Sequence, residues 1–137
     1  MSSDTIRPTV AQIEHIALAT KDVECPRDFY QQLGALASPP CIDPGTGLRG
    51  CVLDFCGVRL ELFQWRGSGD GTASVGQSTG LVHLGFALGS ADAVDVLSGL
   101  LAAAGHRVLE PPHRAGRLGR YESVVLDPDG NRIKLIV

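Results

Sequence analysis

The feature that most constrains the fold of this chain is a faint internal duplication. Residues 13–19 match residues 81–87, with a histidine third in each segment and apolar residues alternating around it. Residues 56–62 likewise match residues 129–135, because both contain a glycine, an arginine and an apolar, charged, apolar triplet. Both pairs of segments have the alternation of β-strands, so the sequence predicts one supersecondary unit used twice.

Each half also contains one helix pattern. The first helix is predicted to begin at Pro26, whose fixed φ and missing N–H suit a first turn. Its apolar stripe consists of Phe29, Tyr30 and Leu33. The second helix is predicted to be capped by Ser90 or Asp92. Its buried face is predicted from apolar residues at three- and four-residue intervals, which are Val94, Leu97, Leu100, Leu101 and Ala104.

The remaining strands complete a β-α-β-β-β order in each half. Strand patterns occupy about residues 49–55, 58–65 and 121–126, and a less distinct one lies near residues 106–109. The sequence Asp-Pro-Asp-Gly at residues 127–130 is typical of a tight turn. Its proline has a fixed φ that suits the turn, and its glycine can adopt a positive φ. It therefore predicts a tight hairpin between two strands.

The length of the chain favours a single domain. Its 137 residues can bury a core without disulfide or metal support. We expect one domain over residues 1–137, with module one at residues 10–66 and module two at residues 80–137. Residues 67–79 are rich in glycine and serine and are predicted to link the two modules.

Charge and cysteine usage narrow the class of protein. A net charge of -3 disfavours a nucleic-acid or acidic-membrane surface, so the expected partner is a small molecule. No apolar run approaches the roughly 20 residues needed to cross a bilayer. The four cysteines form no C-x-x-C pair and no export leader is recognisable, so we expect a cytoplasmic protein with reduced thiols.

Over nearly its whole length, the chain resembles the vicinal oxygen chelate superfamily, which contains glyoxalase I, fosfomycin and bleomycin resistance proteins, and extradiol dioxygenases. The motifs are Glu-His-Ile-Ala around His15, Asp-Phe-Tyr-Gln-Gln-Leu-Gly at residues 28–34, Leu-Glu-Leu around Glu61, and Asp-Pro-Asp-Gly-Asn-Arg-Ile before Lys134. The resemblance implies an α+β fold in which two βαβββ modules form a curled mixed-sheet cup, commonly within a homodimer. The metal or ligand would then lie inside the cup.

The resemblance also implies a set of metal ligands. In glyoxalase-like members the ligands come from the first and last strands of each module, and these positions hold His15, Glu61, His83 and Lys134 here. Strand parity independently places all four residues on the face opposite their apolar neighbours. Two imidazoles and a carboxylate suit a divalent iron, manganese, nickel or zinc ion. Alternatively, the two histidines could bond to backbone carbonyls and Glu61 could pair with a nearby cation.

Lys134 departs from the superfamily pattern, because a charged ammonium has no lone pair to give to a metal. Three arrangements are open. Lys134 could act beside a three-ligand metal site as a substrate anchor or base, or it could pair with Glu61 in a metal-free cup. Alternatively, Glu122 on the neighbouring strand could supply the missing acid. The parity of that strand is open, because Tyr121, Ser123 and Val125 could equally face the cup. In glyoxalase I the corresponding carboxylate is ligand and base, so ordinary glyoxalase I activity is not expected.

Further substrate contacts are expected at the cup mouth. A basic loop at residues 113–120 could bind a carboxylate or phosphate, or could be a solvated loop. Aromatic residues could stack on a planar ligand or belong to the core. The candidate substrate-binding residues are Phe63, Trp65, Arg117, Arg120 and Tyr121.

The sequence thus leads to three functional hypotheses. The first is a metal-dependent enzyme of the lyase or isomerase type that acts on a small oxygenated metabolite. Its ligands would be His15, Glu61 and His83, and Lys134 and Glu122 would be its catalytic candidates. The second is a metal-free protein that binds and sequesters an antibiotic or another small molecule. The third is an extradiol-type dioxygenase, whose usual third ligand would fall at Lys134.

Overall fold

The computed structural model describes residues 11–65, 80–115 and 118–137. The predicted linker lies outside the described residues. The elements of module one are β1 (His15–Thr20), α1 (Glu24–Gln32), β2 (Leu36–Ala37), β3 (Cys41–Ile42), β4 (Arg49–Phe55) and β5 (Val58–Gln64). The elements of module two are β6 (Leu84–Ala87), α2 (Ala91–Ala103), β7 (Val108–Ala115), β8 (Arg120–Leu126) and β9 (Arg132–Ile136).

Each module forms its own mixed sheet. The first sheet has the order β1-β5-β4-β2, with β3 also paired to β4, and the second has the order β6-β9-β8-β7. In both sheets the first and last strands of the module run parallel, while the other pairs run antiparallel. The predicted α+β class with two βαβββ modules is therefore confirmed. In module one the second strand is split into the short β2 and β3.

The strand register repeats between the modules. Ala17 on β1 lies opposite Glu61 on β5, and Gly85 on β6 lies opposite Lys134 on β9. A histidine lies two residues before each of these small residues, since His15 precedes Ala17 and His83 precedes Gly85. The duplication read from the sequence is therefore also a duplication of strand register, and it places Glu61 and Lys134 at equivalent points.

The two helices begin with different caps. Helix α1 begins at Glu24, two residues before the predicted start. The backbone N–H of Glu24 donates to the Asp22 carboxylate at 3.2 Å. Pro26 lies in the first turn, where no intrahelical donor is needed. Helix α2 is capped by Ser90, whose hydroxyl accepts from the Ala93 N–H at 3.1 Å, as predicted.

The buried face of α2 is narrower than its apolar pattern suggested. Val94, Ser98 and Leu101 are its buried residues. Leu100 is 59% exposed and Ala104 is exposed, so the prediction that both are buried is wrong. The reason is that α2 packs against a single sheet, through β7, β8 and β9, and only one stripe of a helix can touch one layer. In the part of the chain that the structure describes, neither helix has the length and apolar character of a membrane span.

Strand β7 extends well beyond the predicted pattern near residues 106–109. It continues through Pro111 and Pro112 to Ala115, with register shifts against β8 on the way. Proline is tolerated there because β7 is the edge strand of its sheet and bulges leave unpaired positions. Part of the predicted basic loop is consequently strand.

One apolar core joins the two modules. Phe29 on α1 meets the ring of His106 in module two at a centroid distance of 4.9 Å, and Phe55 meets Phe86 at 5.0 Å. The hydroxyl of the buried Tyr30 donates to Asp127 at 2.7 Å, within the hairpin at residues 127–130. The predicted hairpin is confirmed, and the inward faces of both modules share one core.

Candidate active site

The sheet surfaces turned away from the shared core carry the candidate site. The module-one face comprises the residues of β1 and β5 that alternate with buried ones, which are His15, Ala17, Ala19, Arg59, Glu61 and Phe63. The module-two face comprises the corresponding residues of β6, β8 and β9, which are Gly85, Ala87, Glu122, Val124, Lys134 and Ile136. Both faces lie opposite the core side, as the strand parity predicted.

His15 and Glu61 meet on the module-one face. His15 lies opposite Arg59 in the parallel pair of β1 and β5, so Glu61 is its diagonal neighbour. The distance from His15 Nε2 to Glu61 Oε2 is 3.0 Å, and the Glu61 side chain is 25% exposed. Two of the predicted metal ligands are thus in direct contact.

A second carboxylate holds the other ring nitrogen of His15. The His15 Nδ1 lies within hydrogen-bonding distance of Glu14, and Arg59 donates to the same carboxylate at 3.2 Å. The hydrogen bond to Glu14, together with the negative charges of Glu61 and Glu14, raises the pKa of His15 above its ordinary value. The same hydrogen bond lowers the pKa of the Glu14 carboxyl.

Glu14 is a functional candidate that strand parity missed. Parity places consecutive strand residues on opposite faces, which would separate Glu14 from His15. However, His15 is the first residue of β1, so Glu14 lies outside the strand and its side chain can turn towards the imidazole. The only available signal was its position directly before the repeated histidine.

The chemistry and spacing of His15 and Glu61 fit a divalent ion. Adjacent nitrogen and oxygen ligands, each about 2.1 Å from an octahedral ion, lie about 3 Å apart. The observed separation of 3.0 Å matches that value, and it is also the length of a direct hydrogen bond between the imidazole and the carboxylate. A carboxylate that binds the second ring nitrogen is the usual support of a metal-bound histidine, and Glu14 occupies that place. In a metal site these two residues would provide two of the three predicted ligands.

Lys134 and Glu122 meet on the module-two face. The Lys134 Nζ lies 3.0 Å from Glu122 Oε2, and the Glu122 side chain is only 7% exposed. Lys134 lies opposite Val124 and Glu122 lies opposite Ile136, which places Glu122 on the same face as Lys134. The register resolves the parity that the sequence left open. The structure pairs Lys134 with Glu122, while Glu61 pairs with His15.

The histidine of module two does not join the pair in module one. His83 is exposed and lies one residue before β6. Within residues 11–65, 80–115 and 118–137, no three His, Cys, Asp or Glu side chains converge so that they could hold a metal ion. Each face of a single chain carries one pair of side chains, His15 with Glu61 and Lys134 with Glu122, and each pair is called a half-site below.

The candidate substrate-binding residues are dispersed. Phe63 follows Glu61 on the module-one face, and Trp65 is 63% exposed just beyond β5. Arg120 is exposed at the start of β8, whereas Arg117 lies outside the described residues. Tyr121 points to the helix side of its sheet, because its hydroxyl donates to Asp95 on α2 at 2.6 Å. The structure thus places Tyr121 away from the module-two face.

The element order and the strand pairing of the two halves define a two-module glyoxalase-like fold. The family model of the Glyoxalase/Bleomycin resistance protein/Dioxygenase superfamily matches residues 12–135. The chain therefore belongs to this superfamily. No match was found among the curated proteins.

Solved structures with the same fold have low sequence identity to this chain. A glyoxalase family protein from Enterococcus faecalis has a TM-score of 0.73 at 23% identity, and the match covers 92% of this chain and 97% of that chain. A glyoxylase/bleomycin resistance protein/dioxygenase domain from Frankia sp. has a TM-score of 0.74 at 21% identity, covering 94% and 98%.

A third structure of the same fold holds a metal ion and a ligand. The fosfomycin resistance protein FosX from Listeria monocytogenes has a TM-score of 0.68 at 16% identity, and the match covers 93% of this chain and 90% of that chain. Its structure contains Mn(II) and dihydroxypropylphosphonic acid. At this level of identity the likeness establishes the fold that the two proteins share.

Proposed function

We propose that the protein is a divalent-metal-dependent enzyme that acts on a small oxygenated molecule. His15 and Glu61 would provide metal ligands from module one, and His83 would provide one from module two. The observation that carries this proposal is the 3.0 Å contact between His15 Nε2 and Glu61 Oε2. Superfamily membership and the Mn(II) in FosX support it.

The residues of module one have defined tasks in this proposal. When bound, the ion would stabilise negative charge that develops on a substrate oxygen. Glu14 keeps His15 Nδ1 occupied, so that Nε2 is the nitrogen directed at Glu61 and at the ligand position. Arg59 fixes Glu14 in turn. Lys134 stays outside the coordination sphere because its ammonium has no lone pair and is paired with Glu122.

The site would be completed by a second copy of the chain. Within one chain, the two modules share a core through Phe29, Phe55 and Phe86. Each half-site lies on the sheet surface that is turned away from this core. A homodimer with two-fold symmetry would place His83 of one copy against His15 and Glu61 of the other, and would do so twice. The proposed enzyme is therefore a homodimer with two equivalent sites.

The second candidate is a metal-free protein that binds a small molecule. One observation favours it: the charged groups of both half-sites already have partners, since His15 pairs with Glu61 and Lys134 pairs with Glu122. An ion at the His15 position would have to replace the first of these pairs. Metal content therefore separates the two functions.

The deciding experiment is metal analysis of protein purified without a metal-chelating tag. The protein is incubated separately with manganese, iron, nickel and zinc, freed of excess metal, and analysed by mass spectrometry of the elements. Stoichiometric metal is expected in the wild type and a strong loss in His15→Ala and Glu61→Gln. His113→Ala is the matched control, because His113 lies on β7 and contacts Glu110 and a backbone carbonyl.

Wild-type protein that binds no metal would contradict the enzyme proposal. If folded wild-type protein stays free of all four metals, the metal-dependent function is wrong and ligand sequestration takes its place. If His113→Ala loses as much metal as His15→Ala, the bound ion is not held at the proposed ligands.

A further inference from the structure

The ion pair between Lys134 and Glu122 fixes the position of an ammonium group on the module-two face. Glu122 is 5% exposed as a residue, so its carboxylate is almost completely withdrawn from water. Removing the partner of a buried charge is strongly unfavourable. Lys134 therefore cannot swing away from Glu122 at low cost, and its ammonium stays near the observed position, 3.0 Å from Glu122 Oε2.

The fixed ammonium retains the capacity to bind another oxygen. A lysine ammonium has three N–H donors, and Glu122 occupies one of them. The Lys134 side chain is 25% exposed, so the remaining donors are accessible from the module-two face. Arg132 lies two residues earlier on the same face and adds a second positive charge.

Open space lies directly beside Lys134. Gly85 is its register partner on β6 and is exposed, and a Cβ built on Gly85 would meet no atom of the described residues within 4 Å. Ala87 continues this floor opposite Ile136. Module one differs at the equivalent point, where Glu61 presents a carboxylate beside Ala17. The module-two face thus combines a small apolar floor with a cationic group.

We infer that Lys134 and the floor at Gly85 form a binding site for the anionic oxygen of a small organic acid. Lys134 contributes N–H donors to a carboxylate or phosphonate oxygen, and Glu122 acts as the positioning residue that holds the ammonium in place. This inference deepens the proposed function, on which it rests for treating the exposed sheet faces as the ligand-binding surface. It assigns a substrate class, a small organic anion.

Lysine-specific NMR tests the inference directly. Lys21 and Lys134 are the two lysines of the chain, so protein labelled at lysine Cε gives two signals, and Lys21 is an internal control. Glycolate and methylphosphonate are titrated separately through the millimolar range into protein treated with a chelator. The Lys134 signal is expected to shift saturably, and the stronger of the two responses identifies the anion type.

Three variants separate the parts of the site. Glu122→Gln keeps an acceptor for Lys134 but removes the opposing charge, so binding is expected to tighten roughly five-fold. Gly85→Val fills the open floor and should abolish the shift of the Lys134 signal. The double change Lys134→Met with Glu122→Gln leaves no unpaired buried charge, and it should abolish anion binding detected by calorimetry while the protein stays folded.

Two results overturn the inference. The first is an unmoved Lys134 signal with both anions in folded protein. The second is an equal shift of Lys21 and Lys134, which indicates general charge screening. Because the titration uses protein treated with a chelator, its outcome is independent of metal content. A protein that binds metal but no anion refutes this inference alone, and one that binds anions but no metal refutes the enzyme proposal alone.

Discussion

The chemistry of the candidate site depends on a few residues. The sequence patterns pointed to some of them and not to others. His15 and Glu61 were predictable because duplication and strand parity both point to them. Glu14 was missed because it lies just outside β1, where parity no longer applies. The direction of the Glu122 side chain could not be predicted, because its neighbours Tyr121 and Ser123 could equally face the cup. Only the register with β9 places Glu122 beside Lys134. Contacts across strands require a register that a single sequence does not contain.

Replacing Glu14 with glutamine should weaken metal binding. The change removes the carboxylate that holds His15 Nδ1 and leaves both proposed ligands in module one in place. Loss of such a support typically lowers metal affinity about ten-fold or more. Competition with a metal-binding dye measures the effect, and Glu110→Gln is the control because Glu110 contacts His113 in module two. Equal affinities in Glu14→Gln and wild type would contradict the role of Glu14.

Replacing Tyr30 with phenylalanine should lower the free energy of unfolding at neutral pH. The hydroxyl donates to the buried Asp127 at 2.7 Å, and a hydrogen bond to a charged group contributes about 1.5–3 kcal/mol. Chemical denaturation measures the difference. Tyr121→Phe is a useful comparison, because its hydroxyl bonds to Asp95 at the surface and its loss should cost less. A Tyr30→Phe protein as stable as the wild type would contradict the importance of this contact.

The same tyrosine should make stability depend on alkaline pH. Burial, followed by the negative charge of Asp127, raises the pKa of Tyr30 far above its ordinary value. The unfolded chain loses the phenolic proton near pH 10, whereas the folded protein keeps it. The contribution is therefore fully present below about pH 10 and declines as the pH rises further. Denaturation between about pH 8 and 11 should show a smaller decline in Tyr30→Phe than in wild type, and parallel curves would contradict this assignment.

At the scale of secondary structure, the sequence predicted elements better than it predicted their surroundings. Strands β4 and β5 fall close to their predicted ranges, because alternation is a local property. The buried stripe of α2 was too wide in the prediction, because the number of layers around a helix is not encoded in its periodicity. Strand β7 was predicted too short, because a single sequence does not show which strand lies at a sheet edge, where prolines are permitted.

Two strand glycines should differ in how strongly a change to alanine affects stability. Gly50 in module one occupies the register position that Glu122 occupies in module two, opposite Phe63 and Ile136 respectively. A Cβ at Gly50 would collide with the backbone carbonyl oxygen of Leu62, whereas one at Gly85 would have no neighbour within 4 Å among the residues that the structure describes. Gly50→Ala should therefore lower the free energy of unfolding by about 1–3 kcal/mol. Gly85→Ala should change it by less than about 1 kcal/mol, and equal effects would contradict this difference.

At the scale of the whole molecule, two modules were predictable but their mutual arrangement was not. The duplication defines each module through local patterns. The contacts that join the modules, such as Tyr30 with Asp127, connect residues far apart in sequence and leave no periodic signal. Through these contacts the buried faces of both modules form one core. The faces turned away from this core are therefore the surfaces on which a second chain would complete the proposed site.

Complementation between two inactive variants can test whether the site forms across the dimer. His15→Ala and His83→Ala chains each lack one proposed ligand, so neither homodimer should hold metal. In a mixed dimer, the His83→Ala chain supplies His15 and Glu61, and the His15→Ala chain supplies His83 to the same site. Random pairing makes half of the dimers mixed, and one of the two sites in each is intact. About a quarter of the wild-type metal content should therefore return on co-expression.

A site within one chain predicts a different result, because every chain in the mixture still lacks one of its own ligands. Metal content would then stay at the level of the separate variants. Co-expression of His15→Ala with Glu61→Gln is the matched control. Both changes remove ligands from module one, so a mixed dimer restores no site in either arrangement. Recovery with the first pair and none with the second would establish that His83 acts on the opposite chain.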